Sequence, residues 1–224
     1  MNSNRKSYSW QRVNCSYEKG LYMRIERVES LDKRKCKVFT DEDFAFLLYN
    51  GELEKYGVCE GAVLEKRTER ELLDLLSRRA HERALNLLKV QDRTEGEMCR
   101  RLFQDGYPDS IVQETIGFLQ EYHFVDDARY AANYLQVHGK RKSQAELKLY
   151  LQRKGISREI IREQLEETEH DSGEAIRDLR QKKQYRAGET APAEAKTIIA
   201  YLMRRGFSWE DIRREMKEQE DALG

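Results

Sequence analysis

The sequence predicts a mainly α-helical protein: three tandem three-helix repeats in an elongated array, preceded by a small N-terminal β-rich subdomain. Three observations carry that prediction. Glycines at Gly106, Gly155 and Gly206, 49 and 51 residues apart, head the same pattern. Leu102, Leu151 and Leu202 stand four residues before them, and Tyr107, Ile156 and Phe207 just after. Val112, Ile161 and Ile212 lie six residues beyond, and Ile116, Leu165 and Met216 ten beyond. A period near 50 marks repeated helical units, each too small to bury its apolar face alone. The hydrophobic period also changes near Thr68, from alternation to steps of three and four. Finally, charged residues make up 37% of the chain against 39% apolar, with two prolines, which suits thin helical layers with much exposed surface.

Residues 1–66 form the expected β-rich subdomain. Stretches at 21–28 and 35–39 are β-prone and flank a charged turn at Asp32-Lys33-Arg34. A third apolar stretch, 44–49, follows the acidic turn Asp41-Glu42-Asp43. They read as a small meander, closed by a short helix at 52–56 and a turn at Glu60-Gly61.

The remainder divides into repeats at 67–120, 121–170 and 171–224. The first holds helices at 68–90, 94–105 and 108–120. The second holds 126–138, 143–154 and 157–169, and the third 171–186, 192–205 and 208–220. Capping-box pairs open several of them: Thr68 with Glu71, Thr94 with Glu97, Ser143 with Glu146, Asp171 with Glu174, and Ser208 with Asp211. Pro108 and Pro192 fall in first turns, where a missing N–H costs nothing. The three repeat glycines are structural turn residues, each ending the second helix of its unit in a left-handed conformation. Residues 139–142 and 186–193 read as loops too short to separate domains.

Composition excludes several functions. No run of about 18 apolar residues could span a bilayer, and the polar, basic residues 1–10 do not read as a secretory signal. Cys15, Cys36, Cys59 and Cys99 lack Cys-x-x-Cys spacing, so free thiols in a reducing cytoplasm are expected, with no metal or cofactor. The chain has neither a phosphate loop after a strand nor a His-Glu-x-x-His motif, and no nucleophile stands beside a base; it does not read as an enzyme. Charge is balanced at 41 basic and 41 acidic residues, so no segment grips bare DNA by net charge alone.

The octapeptide Phe124-Val125-Asp126-Asp127-Ala128-Arg129-Tyr130-Ala131, combined with the three glycine turns, resembles the signature of the RecX family, regulators of the RecA recombinase. The resemblance covers about 20–220. It implies three tandem three-helix repeats, and a regulator that lies in the groove of the RecA–DNA filament and inhibits it, so modulating repair and recombination. Contact with single- or double-stranded DNA is left open. A monomeric cytoplasmic protein is expected. Locally, Asp126 reads as an N-cap with Val125 and Tyr130 as a hydrophobic staple, and Asp127 suits the helix dipole.

The residues expected to touch filament or nucleic acid are the local basic knots. These are Lys140, Arg141 and Lys142 in a loop, Arg153 and Lys154, and Arg204 and Arg205 at helix ends, with Arg129 beside them. An alternative is a tandem helix-turn-helix transcription regulator, since the turn spacing also fits that motif. Against it, Glu159 and Glu163 interleave with Arg158 and Arg162 on the would-be reading helix, and carboxylates repel phosphate.

Overall fold

The computed structural model describes residues 23–41, 45–168, 171–186 and 188–217. The expectations for 1–10 and Cys15, the start of the first β-prone stretch at 21–22, most of the acidic turn and the start of the third stretch at 42–44, and the last turn at 218–220 lie outside them. The chain divides into two compact units, the first ending at Leu72 and the second beginning at Leu73.

The first unit is built on an antiparallel sheet. Its strands are β1 (Met23–Ser30), β2 (Lys35–Thr40), β3 (Ala45–Tyr49) and β4 (Val63–Leu64), in the order β3-β2-β1-β4, and helix α1 (Asn50–Tyr56) follows β3. The β1–β2 turn is fixed by Asp32, whose carboxylate accepts from the backbone N–H of Arg34 at 2.7 Å and of Lys35 at 2.9 Å. Alternation then sorts the faces: Cys36, Val38, Phe46 and Leu48 are buried, with Cys36 opposite Leu48 and Val38 opposite Phe46. The meander was expected from the sequence. The two-residue β4, which adds to β1 through Met23 and Arg24, was not, because two residues carry no period.

Helix α2 (Lys66–Leu88) runs across the boundary between the units. Then come α3 (Glu95–Gln104), α4 (Asp109–Glu121), α5 (Asp127–His138), α6 (Gln144–Lys154), α7 (Arg158–Glu167), α8 (Gly173–Lys182), α9 (Pro192–Arg204) and α10 (Trp209–Lys217). A single 3-10 turn, Gly139–Arg141, joins α5 to α6 where a plain loop was expected. Each triplet buries its own apolar cluster. Met98, Leu102, Val112 and Ile116 serve the first; Leu147, Leu151, Ile161 and Leu165 the second; Ile198, Leu202, Ile212 and Met216 the third. The repeated positions of the sequence are thus the cores of the three repeats.

The turn glycines have φ of +86° at Gly106, +98° at Gly155 and +86° at Gly206. The N–H of the following residue reaches back to the leucine four before the glycine: Tyr107 to Leu102, Ile156 to Leu151, and Phe207 to Leu202, at 3.1–3.3 Å. This Schellman closure explains why leucine, glycine and an apolar residue recur together.

Some local expectations change. Thr68 lies inside α2, which begins two residues earlier, so it caps nothing. The third repeat's first helix has Ser172 at its N-cap, and Asp171 accepts from the Gly173 N–H instead of forming a box. Val125 packs into the first repeat's cluster and Tyr130 on the second's, so the segment between them ties the two repeats together.

Candidate interaction surface and the joints that present it

The second helix of each repeat determines how neighbouring repeats meet. At the first joint, Thr94 caps α3: its hydroxyl accepts the Glu97 N–H at 3.2 Å and donates to the Lys154 carbonyl at 2.6 Å. One hydroxyl therefore satisfies a free amide at one helix start and a free carbonyl at another helix end. Lys154 then donates from Nζ to Glu97 Oε1 at 2.6 Å. The backbones close to contact, since a Cβ on Gly96 would come 2.9 Å from the Gly155 Cα. Arg100 adds a hydrogen bond to the same Lys154 carbonyl at 3.1 Å, and Asp127 accepts from the Glu95 N–H at 2.8 Å.

The second joint repeats the plan. Ser143 caps α6, accepts the Glu146 N–H at 3.2 Å and donates to the Arg205 carbonyl at 2.5 Å. Arg205 donates from Nε to Glu146 Oε1 at 3.0 Å, and its Nη2 reaches the same oxygen. Gly206 packs against Ala145. Thr94 and Ser143 are both fully buried.

Electrostatics follow from these pairings. Burial opposes charge on Lys154, but the Glu97 hydrogen bond and charge outweigh it and hold its ammonium above the usual lysine range. Burial likewise works against the Glu146 carboxylate, and the Arg205 and Ser143 hydrogen bonds win, setting it below the usual range. At the first joint the opposite holds: burial raises Asp127 despite its bond from Glu95, and burial with the Asp127 charge raises Glu95.

Lys154 and Arg205, expected among the surface contacts, therefore spend their charge inside the array, with side chains 23% and 36% exposed. Lys142 is also occupied: its Nζ donates to the Tyr134 hydroxyl at 2.5 Å and lies 5.0 Å and 5.4 Å from the Tyr134 and Tyr150 ring centres. Arg129 is exposed, and its guanidinium donates to the His123 carbonyl at 3.1 Å. Lys140, Arg141, Arg153 and Arg204 are exposed and make no hydrogen bond or ion pair among the described residues. Arg153 and Arg204 each immediately precede a joint residue, so the joints fix where they stand.

Sequence reasoning identified the capping boxes and the basic-glycine pairs without connecting them. The usable signal was their shared register. Thr94 and Ser143 are equally spaced from their own turn glycines, and only the two later turns carry a cation before the glycine. Asp126 does cap α5, accepting the Arg129 N–H at 2.9 Å, whereas Asp127 bridges to the preceding repeat and so has more than a dipole role. Among the described residues no cluster of His, Cys, Asp and Glu could hold a metal ion, and no helix is long and apolar enough to cross a membrane.

Family models for the first, second and third three-helix domains of RecX match residues 80–119, 126–165 and 171–216. The chain is 31% identical to a regulatory protein RecX of Clostridium tetani, over 91% of this chain and 86% of that one. It is 26% identical to one of Clostridium acetobutylicum, over 87% and 95%. Among solved structures, a regulatory protein RecX superposes with a TM-score of 0.59 at 22% identity, covering 88% of this chain and 99% of the other. RecX from Lactobacillus salivarius gives 0.56 at 23%, covering 64% and 96%.

Proposed function

Because the chain belongs to the RecX family, we propose that it binds the RecA–DNA filament along its groove and limits the recombinase, with its ATPase and coprotease activities. No covalent step is needed. A folded array with fixed joints presents several weak basic contacts at set spacing, and a helical polymer offers sites at set spacing in return. Linked weak contacts then give avidity far above any one of them. Competition with DNA or with proteins docking in the same groove supplies the inhibition.

The observation that supports this reading most is the division of labour among the basic residues. Lys154 and Arg205 lock the repeats, while Lys140, Arg141, Arg153 and Arg204 stay exposed and, among the described residues, unpaired. The proposed contacts are those four, with Arg129 beside them. Co-sedimentation with RecA filaments at several salt concentrations tests it. Reversing Lys140, Arg141, Arg153 and Arg204 to Glu should weaken binding by at least about tenfold, with helical content unchanged, each outer charge contributing a modest share. Undiminished sedimentation and inhibition by that folded variant would overturn the assignment. Protection of a defined duplex site without any recombinase would instead indicate a helix-turn-helix reader.

A further inference from the structure

The first repeat carries a cleft of about 480 Å³ lined by Leu87, Arg93, Glu97, Arg100, Arg101 and Gln104. Its lining carboxylate, Glu97, and Asp105, which pairs with the lining Arg101, are already matched. Glu97 holds Lys154 at 2.6 Å, and Asp105 holds Arg83 at 2.6 Å and Arg101 at 3.3 Å. The lining itself holds three arginines against one carboxylate, an excess of two in a protein of zero net charge. The Nε atoms of Arg93 and Arg101 are buried without an acceptor, and a buried donor left unpaired is costly. On its other flank Arg93 borders a hollow with Asp92 and Asp126, yet forms no ion pair with either.

The repeat plan does not require this arrangement. At the same register in the second repeat, Leu149 and Tyr150 replace Arg100 and Arg101. Lys142, in the place of Arg93, is spent on Tyr134. The third repeat has no cation cluster there either, with Ala200 and Tyr201 at those positions. Three arginines are therefore gathered in one repeat; Arg100 also bonds the Lys154 carbonyl and Arg101 pairs with Asp105, while Arg93 has no ion pair among the described residues.

We propose that this cleft binds linked phosphate groups, with Arg93, Arg100 and Arg101 as the ligands' principal donors and Gln104 as an accessory one. Guanidinium forks match phosphate oxygens in pairs, which a point charge does not. The wall has one apolar residue, Leu87, too little to bury a base, so recognition is of the phosphates. The cleft is large enough for more than one of them. Such groups come from the backbone of a nucleic acid or from a free polyphosphate, and the test separates the two.

Wild-type protein is titrated into a fluorescein-labelled oligothymidylate and followed by anisotropy, and inorganic tripolyphosphate is titrated by calorimetry. The variant is Arg93→Gln, which breaks no ion pair. Arg158→Gln, an exposed arginine of the second repeat that loses the same charge, is the control. Oligonucleotide binding weakened fivefold or more by Arg93→Gln alone, with tripolyphosphate silent, assigns the cleft to a nucleic-acid backbone; a loss of that order is what a single charge-assisted contact is worth. One-to-one tripolyphosphate binding lost in Arg93→Gln assigns it to a free polyphosphate. Equal effects of the two substitutions, or no binding of either ligand, overturn the proposal. No recombinase is present in either arm, so the outcome is independent of the filament reading.

Discussion

The two joints of the helical unit share one plan and differ in how close the backbones come. At the first, Gly96 meets Gly155 backbone to backbone, and a lysine suffices to reach Glu97. At the second, the Ala145 methyl stands against Gly206, and arginine spans to Glu146 with two nitrogens. Approach distance and cation type thus vary together: the closer joint takes the point charge, the spaced one the fork. The ends of the array depart from the plan. Asp105 occupies the cation's place before Gly106, where Arg83 and Arg101 neutralise it. Glu194 occupies the position of Thr94 and Ser143 in the third repeat. The cation and the hydroxyl that make the joint are thus both present only at the two internal contacts between repeats.

The closest backbone approach, at the first joint, leaves no room for an added side chain. Gly155→Val combines a side chain at φ +98° with a backbone only 3.0 Å from the new Cβ, and should cost about 2–4 kcal/mol by strain and overpacking. Gly96→Ala should cost roughly 1–3 kcal/mol by overpacking. The reciprocal change at the other joint, Ala145→Gly, should cost no more than about 1 kcal/mol, the helix-propensity difference. Urea midpoints followed by circular dichroism measure all three. Equal losses for Gly96→Ala and Ala145→Gly would show that backbone distance does not distinguish the joints.

The hydroxyls come next. Thr94→Val and Ser143→Ala each remove a cap and a hydrogen bond to a neighbouring repeat's carbonyl, the Lys154 carbonyl keeping its bond from Arg100, and each should cost about 1–2 kcal/mol. Amide exchange gives the sharper readout. Loss of protection should appear on both sides of the affected joint, in α3 and α6 for Thr94→Val, and in α6 and α9 for Ser143→Ala. Fraying confined to the capped helix would reduce the hydroxyl to a local role.

Much of this was legible from the chain alone. The leucine-glycine-apolar turns, the helix starts at Thr94, Ser143 and Ser208, and the meander at 23–49 follow from period and capping chemistry, which act within a few residues. What was not legible depends on neighbours far along the chain. Lys154 and Arg153 are adjacent, both basic and both in a last helical turn; only the approach of α3 determines that one is a joint and the other a surface charge. Asp127 has the same history, a favourable first-turn acid until Glu95 is brought beside it. The arginine cleft was hidden for a related reason, because residues 67–120 hold 9 basic and 10 acidic side chains and folding alone gathers the cations on one side.

Charge pairing matches capping at the more buried pair and ranks below it at the more exposed one. Lys154→Met leaves Glu97, whose side chain is 17% exposed, without its cation and should cost about 1–2 kcal/mol. Arg205→Met faces Glu146 at 30% exposure, where water compensates more, and should cost about 1 kcal/mol or less. A double-mutant cycle with Glu97→Gln and Glu146→Gln isolates each pair. A larger coupling at the second joint would mean that the fork outweighs burial.

The smallest expected effect is in pH, and its sign differs between the joints. Asp127 and Glu95 have carboxyls raised above their ordinary values of 3.8 and 4.5. The folded chain then holds protons that the unfolded chain has released, so stability from this pair increases as pH falls through the raised values. Glu146 is lowered from 4.5. Its contribution is present above 4.5 and is lost as pH falls through its folded value. Acidification from neutrality should therefore first leave the second joint unchanged while tightening the first, and then, below pH 4.5, loosen the second. Amide exchange of α3 and α9, corrected for the intrinsic pH dependence, reads the two joints separately. Asp127→Asn should shrink the first phase to the part that burial of Glu95 alone supplies and spare the second, because it removes one buried charge while keeping an acceptor for the Glu95 N–H. Parallel loss of protection at both joints from pH 7 downward would mean that the Asp127–Glu95 contact stabilises the first joint as charged groups, contrary to the burial that raises them.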